Sequence, residues 1–211
     1  MRVLDLYCCQ GGASAGYAAA GGDVAGADLH RQSRYPHPFF QGDAVQLAGQ
    51  IGRAFDFIHA SPPCQFYSAT QRIQGRDHDD LIGPTRDALN ATGRPWVIEN
   101  VGDALPWLRN PVMLCGAMFG LHTYRHRWFE TGGGFTFTPP EHPEHVHPTV
   151  KMGRPVREGD WYHAVGNFSG VAYVRRDMGV PWMNRDGIRE CIPPAYTEYI
   201  GNEFMKWKEQ S

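Results

Sequence analysis

The 211-residue sequence has no apolar run long enough to cross a lipid bilayer, which takes about 20 residues. Its five cysteines are an odd number and include no Cys-x-x-Cys pair, which argues against a disulfide framework and a four-thiolate zinc site. The apolar stretch at the N-terminus is too short for a signal peptide and meets an acid at Asp5. We therefore expect a globular cytoplasmic protein.

The chain also has almost no net charge, because 20 Lys and Arg stand against 22 Asp and Glu. The charges are unevenly spread: residues 1–108 hold 8 basic and 11 acidic side chains, residues 109–189 hold 10 and 7, and the remainder hold 2 and 4. A locally basic segment can bind phosphates even on a nearly neutral chain. Ordinary surface scatter explains the same imbalance equally well.

Short apolar runs alternate with helix-like segments over the first 100 residues. The runs at 2–7, 23–28, 55–61 and 95–101 predict strands, and the segments at 13–22 and 85–93 predict helices. In the second helix Thr85 is the expected N-cap and Gly93 the expected stop. This order predicts an α/β fold with a mostly parallel sheet, in which ligands bind at the carboxyl ends of the strands.

Beyond about residue 131 the sequence is rich in Gly, Pro and His and has no helical period, which is typical of an irregular lobe. Apolar residues at 196, 199, 200 and 204 then form a helical stripe. We predict a catalytic and cofactor-binding core at 1–130, a small lobe at 131–188, and a C-terminal segment at 189–211 that returns to the core.

A glycine turn follows the first predicted strand. Gly11 and Gly12 would let the backbone approach a ligand at the start of a helix, although the spacing is not that of a dinucleotide fold. Asp28 ends the second strand, where an acid can accept hydrogen bonds from ribose, and Asp43 lies in a later loop. Each acid alone is more simply a cap or turn residue. Together with the glycine turn they predict a site for a nucleoside-containing cofactor.

The stretch SPPCQ places Cys64 directly after a strand and two prolines. A thiol held rigidly at the ligand edge of a sheet could act as a nucleophile, and a buried thiol in a tight turn is the equal alternative. Glu99 ends a later apolar strand and should reach the same edge. A carboxyl group buried there needs a partner or a shared proton, and a raised pKa would let it protonate a substrate.

Arg125 and Arg127 alternate along a β-like run at 123–130, so we expect both side chains on one face. Two guanidinium groups suit phosphate, carboxylate or base-carbonyl recognition, while a solvated strand face is the simpler alternative.

A histidine-rich stretch at 142–148 contains three histidines at spacings of three and two, which could coordinate a metal. No cysteine lies near them in the sequence, and Pro143 and Pro148 indicate an exposed loop. We predict no metal site.

In their order along the chain, these segments resemble the DNA (cytosine-5) methyltransferase family, in a small, phage-type form. The matching stretches are DLYCCQGG, GADLHR, GDA, SPPCQFYS, ENV, TYRHR and IPPAYTEYIG, which extend from residue 5 to residue 201. The resemblance implies a Rossmann-like S-adenosylmethionine-dependent methyltransferase fold with a target-recognition lobe. It also implies a monomer that acts on duplex DNA in a bacterial or phage-infected cell.

The resemblance implies a role for each matching residue. Cys64 would add to C6 of a cytosine flipped out of the duplex, and Glu99 would protonate N3. Arg127 would hold O2 of the base, and Arg125 would support it. The expected contacts of S-adenosylmethionine are Tyr7, Gly11 and Gly12 at the methionine end, Asp28 at the ribose, and Asp43 and Pro63 at the adenine, together with Leu29 and Ala44. The expected substrate contacts are Ser68, Asn100, Lys151, Arg154, Arg157, Arg175 and Arg176.

The sequence departs from the family pattern without losing a group that carries chemistry. Tyr7 replaces the usual phenylalanine, Cys9 a glycine and Thr123 a glutamine, and the usual Gly-Asn pair before Pro193 is missing. The lobe is small, which suggests a short target or loose specificity. Two alternatives stay open: the same chemistry on RNA or a nucleotide, and a catalytically silent binder on the same fold. The glycine spacing disfavours a third, a nicotinamide-dependent oxidoreductase.

Overall fold

The computed structural model describes residues 1–67, 80–151 and 153–210. Seven strands within these residues form one sheet. They are β1 (Arg2–Leu6), β2 (Asp23–Asp28), β3 (Phe39–Gln41), β4 (Phe57–Ala60), β5 (Trp96–Asn100), β6 (Val112–Leu114) and β7 (Arg127–Gly132). Their spatial order is β3-β2-β1-β4-β5-β7-β6, and β7 runs antiparallel to both of its neighbours while the other pairings are parallel.

The described residues contain six α-helices, of which the first three connect strands and the last three follow β7. They are α1 (Gly12–Ala19), α2 (Ala44–Ile51), α3 (Ile82–Thr92), α4 (Val171–Asp177), α5 (Arg185–Glu190) and α6 (Pro194–Gln210). The predicted α/β fold with a mostly parallel sheet is therefore confirmed. None of the helices among the described residues combines the length and the apolar character needed to cross a membrane.

Side chains alternate between the two faces along each strand, and the central strands β1, β2, β4 and β5 are buried on both faces. Val3 and Phe57 lie on the face that α1 and α6 cover. Their chain neighbours Leu4 and Ile58 lie on the other face, in a cluster that includes residues of α2 and α3. Because both faces are apolar, these strands read in the sequence as continuous apolar runs, which is why four of them were predictable.

The predicted strand at 23–28 has the observed bounds, and the other three predicted strands agree within two residues at each end. The predicted start of α3 at Thr85 is wrong. The helix begins at Ile82, whose N–H donates to the hydroxyl of Tyr67 and to the carboxylate of Asp80. Thr85 is buried inside the helix, and Gly93 ends it with a φ of 66°, as predicted.

Gly16 of α1 sets the distance between α1 and α6. A Cβ at this position would lie 2.0 Å from the carbonyl oxygen of Pro194 and 2.1 Å from Oγ1 of Thr197. Only glycine therefore allows the C-terminal helix to pack this closely against α1. This contact returns the end of the chain to the edge of the sheet where the glycine turn lies.

The lobe has its own apolar cluster between residues 162 and 191, which includes Phe168 and Tyr173. Phe135 and Phe137 lie in the segment predicted as lobe but pack in the main core, where Phe135 meets Phe57 at a ring-centroid distance of 5.4 Å. The proposed domain limits stay a prediction.

Candidate active site

The turn after β4 carries Cys64 at the carboxyl edge of the sheet. Pro62 and Pro63 follow the strand, and Cys64 begins a short 3₁₀ helix, Cys64–Phe66. Asn100, the last residue of the neighbouring β5, donates from its side-chain amide to the carbonyl of Pro62 over 2.9 Å. Asn100 thus joins the turn to the next strand, and its side-chain oxygen accepts from the N–H of Val101.

Glu99 lies one residue earlier on β5 and is 5% exposed. Its Oε1 is 2.9 Å from Nε of Arg127, the first residue of β7, and it accepts a hydrogen bond from Ser61. Burial raises the pKa of the Glu99 carboxyl, while Arg127, Ser61 and Arg125 act in the opposite direction. The site therefore holds a buried acid whose charge has a single close counter-ion among the described residues.

The Cys64 thiol is half-buried, and both members of this ion pair affect its pKa. Burial raises the pKa of the thiol most, the negative charge of Glu99 raises it further, and Arg127 lowers it. The thiol is therefore protonated at neutral pH, and it must lose its proton when it attacks a substrate.

A buried hydrogen-bond chain lies behind Glu99, which the sequence analysis missed. The hydroxyl of Tyr17 is 2.9 Å from Nδ1 of His59, and Nε2 of His59 is 2.9 Å from the hydroxyl of Ser61, which in turn bonds Glu99. Complete burial lowers the pKa of His59 to about 3, so the ring is neutral and uses one nitrogen as donor and the other as acceptor. The sequence offered one signal of this hydrogen-bond chain, because His59 is a histidine inside the apolar strand β4.

Arg125 differs from the expected strand residue. β7 begins at Arg127, and Arg125 precedes it with a left-handed φ of 32°. The prediction that both arginines alternate along one strand is therefore wrong, because the chain turns at Arg125. Its buried guanidinium donates to four backbone carbonyls, those of Cys191 (2.9 Å), Arg189 (2.6 Å), Ile188 (3.3 Å) and Ala164 (3.3 Å).

The predicted cofactor edge lies between β1 and β2. Gly11 caps α1 with a φ of 83°, and Tyr7 and Cys9 also have positive φ values, 60° and 45°. The carboxylate of Asp28 accepts from the N–H of Cys9 (3.1 Å) and of His30 (3.0 Å). Asp28 therefore fastens the glycine turn to the end of β2 and keeps lone pairs for a ligand.

Tyr35 forms a wall of this edge, and the sequence analysis did not identify it. A Cβ on Gly11 would lie 2.9 Å from its ring, and one on Gly26 would lie 2.3 Å from it. The Tyr35 hydroxyl is 2.7 Å from that of Ser14, which is 2.5 Å from the carboxylate of Asp5. Burial raises the pKa of Asp5 to about 7.

The other predicted cofactor residues have varied surroundings. Gly12 faces the segment before α6, since a Cβ there would lie 2.5 Å from Sγ of Cys191. Asp43 is the N-cap of α2 and accepts from the N–H of Gln46 at 2.9 Å. Ala44 is buried at the start of that helix, whereas Leu29 and Pro63 are exposed. The hydroxyl of Tyr7 is 2.8 Å from that of Thr85.

The predicted substrate residues fall into two groups. Exposed Lys151 and Arg154 line a shallow pocket of the lobe, and Arg157 is exposed nearby in the chain. Arg175 and Arg176 have partners within the lobe. Arg175 donates to the carbonyl of Met183 at 2.5 Å, and Arg176 pairs with Glu158. Ser68 lies outside the described residues.

The histidine-rich stretch has one neighbour that its position in the sequence does not reveal. His142 and His145 are exposed, as expected, but Sγ of Cys115 is 3.5 Å from Nε2 of His145. No cysteine lies near these histidines in the sequence, but the fold places Cys115, which follows β6, beside His145.

No protein-family model matches the chain, and no curated protein matches it. Among the solved structures that are similar to this chain, three match it over nearly its whole length. A prophage-encoded E. coli protein assigned as a DNA modification methyltransferase has a TM-score of 0.67 and 14% identity, covering 99% of both chains. The S. pombe Dnmt2 methyltransferase has a TM-score of 0.62 and 13% identity, covering 98% of this chain and 99% of its own.

The Entamoeba histolytica methyltransferase EhMeth has a TM-score of 0.61 and 11% identity, and the similarity covers 98% of both chains. At these identities the likeness concerns the fold. The chain has the Rossmann-like fold of methyltransferases, which confirms the fold implied by the sequence resemblance.

Proposed function

We propose that this protein transfers a methyl group from S-adenosylmethionine to C5 of cytosine in duplex DNA. The observation that supports this most directly is the meeting of Cys64, on a rigid turn after β4, with the buried Glu99–Arg127 pair of β5 and β7. C5 of cytosine is a weak nucleophile. A thiolate that adds to C6 makes the ring electron-rich at C5, and a buried acid and a guanidinium are the groups that this addition requires.

The residues share the chemistry as follows. The Cys64 thiol loses its proton to water, and its sulfur bonds to C6 while the electrons of the C5–C6 double bond move into the ring. Glu99 binds the base in its protonated form, which burial favours by raising the pKa of the carboxyl, and donates this proton to N3. When bound, S-adenosylmethionine supplies an electrophilic methyl group for C5. Once C5 has taken up the methyl group and S-adenosylhomocysteine has been released, the C5 proton leaves to water, the C5–C6 double bond re-forms as Cys64 departs as a thiolate, and N3 returns its proton to Glu99.

The two arginines contribute differently. Arg127 donates to O2 of the base and stays beside Glu99, so its charge opposes the negative charge that forms on the ring. Arg125 acts through structure, since its guanidinium is engaged by four backbone carbonyls. It supports the segment that leads into Arg127. A cytosine must leave the duplex to meet Cys64, and exposed Lys151, Arg154 and Arg157 are suited to hold the flanking phosphates.

The residues at the edge between β1 and β2 fit S-adenosylmethionine. Asp28 and Glu190 both act electrostatically on Cys9 in the glycine turn, and Asp5 lies behind it. An acidic site of this kind suits the sulfonium and ammonium charges of the cofactor. Asp28 retains acceptor capacity for ribose hydroxyls, and Gly11 opens the turn at the N-terminus of α1.

The test is a transfer assay with methyl-labelled S-adenosylmethionine, followed by analysis of the nucleosides. Unmethylated duplex DNA, RNA and free cytosine nucleotides are offered in parallel to the wild type and to Cys64→Ala. We expect 5-methylcytosine in DNA from the wild type and none from the variant, which should still bind the cofactor in a titration. Lys206→Ala, which removes an exposed ion pair of α6, serves as a handling control with unchanged activity.

Three outcomes would contradict the proposal. Label in N4-methylcytosine or in adenine would assign a different chemistry to the site. Label in RNA or nucleotides alone would keep the chemistry and replace the substrate. A folded protein that binds the cofactor but transfers no label would favour the silent-binder alternative.

A further inference from the structure

One thiol and three imidazoles meet beside the β6–β7 pair. The side chains of Cys115, His126, His142 and His145, here called the Cys-His cluster, have potential ligand atoms that all lie within 4.8 Å of one another. Sγ of Cys115 is 3.5 Å from Nε2 of His145, which is 3.1 Å from Nε2 of His142. The proposed methyl transfer uses none of these four side chains.

The sheet itself brings the first two members together. Leu114 of β6 pairs with Arg127 of β7 in an antiparallel ladder. Cys115 directly follows β6 and His126 directly precedes β7, so the end of this ladder brings the two residues close together. The N–H of Gly116 donates to the carbonyl of Tyr124 at 2.8 Å and keeps the two segments together beyond the strands.

Neighbouring side chains hold the second segment over the first. The ring of Tyr124 stacks on that of His145 at a centroid distance of 3.5 Å. The Tyr124 hydroxyl donates to the carbonyl of His147 and accepts from its N–H, at 2.9 and 3.0 Å. The ring of His147 stacks on Trp161 and takes no part in the cluster. These contacts hold His145 and His147 in place, and the His145 imidazole lies against Cys115.

From this geometry we infer that the Cys-His cluster binds one zinc ion. Zinc takes thiolate at about 2.3 Å and imidazole at about 2.0–2.1 Å, so tetrahedral ligand atoms lie about 3.3–3.6 Å apart. The two short cluster distances, 3.5 and 3.1 Å, fall near this range, and the remaining distances are at most 4.8 Å. One thiolate and three imidazoles form a four-coordinate set that suits zinc, whereas calcium and magnesium require oxygen ligands.

All four ligands come from the protein, so the site is structural rather than catalytic. The ion cross-links three segments that are distant in the sequence: the end of β6, the start of β7 and the loop at 142–145. His126 lies between Arg125 and Arg127, so the ion also steadies the approach to the Glu99 pair. Zinc removal should therefore lower the melting temperature of the protein, independently of any assay of methyl transfer.

The test uses untagged protein produced with added zinc, because a histidine tag would bind metal itself. Elemental analysis by mass spectrometry should find about one zinc per chain in the wild type. His142→Ala should lose most of it, because the histidine is exposed and its removal leaves the core intact. His147→Ala is the matched control from the same loop and should retain the zinc. Cobalt substituted for zinc should show a thiolate charge-transfer band and strong tetrahedral absorption, and Cys115→Ser should lose that band.

The inference fails if the wild type holds no zinc and gives no thiolate–cobalt band. It also fails if His147→Ala loses as much zinc as His142→Ala, since the loss would then reflect the loop rather than a ligand. Stoichiometric copper or nickel in place of zinc would overturn the choice of metal. Cys115 is completely buried, so if Cys115→Ser does not fold, the comparison of the two histidine variants decides.

Discussion

Two buried arginines mark the difference between the core and the lobe. Arg86 of α3 forms two hydrogen bonds with the carboxylate of Glu130 on β7, at 2.5 and 2.7 Å, and one with the carbonyl of Trp107. Arg125, at the junction with the lobe, donates only to backbone carbonyls among its described hydrogen bonds. Glu130 raises the pKa of Arg86, whereas burial lowers that of Arg125 to about 10.

The comparison shows two ways of stabilising the same fold. The core buries apolar residues on both sheet faces and pairs the charge of Arg86 with an acid. The lobe has one smaller apolar cluster, and Arg125 connects residues of that region to the sheet. We therefore expect that loss of the core pair destabilises the whole molecule, whereas loss of Arg125 acts mainly on the lobe.

The largest effect is expected for Arg86→Met. The change leaves the Glu130 carboxylate buried without its cation, which should lower the free energy of unfolding by about 3–5 kcal/mol. Adding Glu130→Met to this variant removes the stranded charge and should restore much of the loss. Urea denaturation of the two variants and the wild type measures both effects. Equal stability of the single and double variants would show that the charge is not the cause.

The second prediction concerns Asp5 and His59, two core groups whose pKa values are shifted mainly by burial. The pKa of Asp5 is raised to about 7, so its stabilising contribution is complete below pH 3.8 and is lost as the pH rises through 7. The pKa of His59 is lowered to about 3, so its contribution is complete above pH 6.5 and is lost as the pH falls toward 3. The two groups therefore oppose each other over the same range.

Asp5→Asn and His59→Gln should separate these contributions. The quantity to compare is the unfolding free energy at pH 8 minus that at pH 4. For Asp5→Asn this difference should be about 4 kcal/mol larger than for the wild type. His59→Gln should shift the same difference by about 3 kcal/mol in the opposite direction. Denaturation curves at the two pH values provide the measurement. Shifts of the same sign in both variants would contradict the assignment.

Arg125→Met should lower the free energy of unfolding by a smaller amount, about 2–3 kcal/mol. Four backbone carbonyls lose their hydrogen-bond donor, but no buried charge is left without a partner. The variant should expose the lobe first, which hydrogen exchange of α4 and α5 would detect before exchange of the strands. Arg176→Ala removes an exposed ion pair of the same lobe and should cost less than 1 kcal/mol. Simultaneous loss of protection in lobe and sheet would remove the distinction between the two regions.

Asn100→Ala should lower the free energy of unfolding by about 1–2 kcal/mol through the lost bond to Pro62, which is less than the loss expected for Arg125→Met. The displaced Cys64 turn should lower kcat about tenfold or more, with the affinity for S-adenosylmethionine unchanged. Single-turnover kinetics and a cofactor titration measure the two quantities. An unchanged kcat with weakened DNA binding would instead favour the substrate contact predicted from the sequence.

The strands whose apolar runs are buried on both faces could be predicted from the sequence. Very short strands, and helix ends that depend on side chains distant in the sequence, could not. β3 and β6 have three residues each, too few to show a period. The start of α3 was wrong because the side chains of Tyr67 and Asp80 bond its first N–H, which no local signal reveals.

Within the site, the motifs located Cys64, Glu99 and Arg127 along the chain, and the parallel strands explain why the first two share one edge. The enclosure of Arg125 was not predictable, because its four acceptors lie 39 to 66 residues away in the sequence. The same holds for the contact of Cys115 with His145, which depends on the β6–β7 register and on Tyr124.

The most direct test of Cys64 as the nucleophile uses duplex DNA that contains 5-fluorocytosine. Fluorine cannot leave C5 as a cation, so the bond between sulfur and C6 persists after methyl transfer. With S-adenosylmethionine we expect a complex that survives denaturation, whose cross-linked peptide contains Cys64 and which Cys64→Ala does not form. A cross-link at another residue, or 5-methylcytosine formed on ordinary DNA without any trapped complex, would contradict the proposed mechanism.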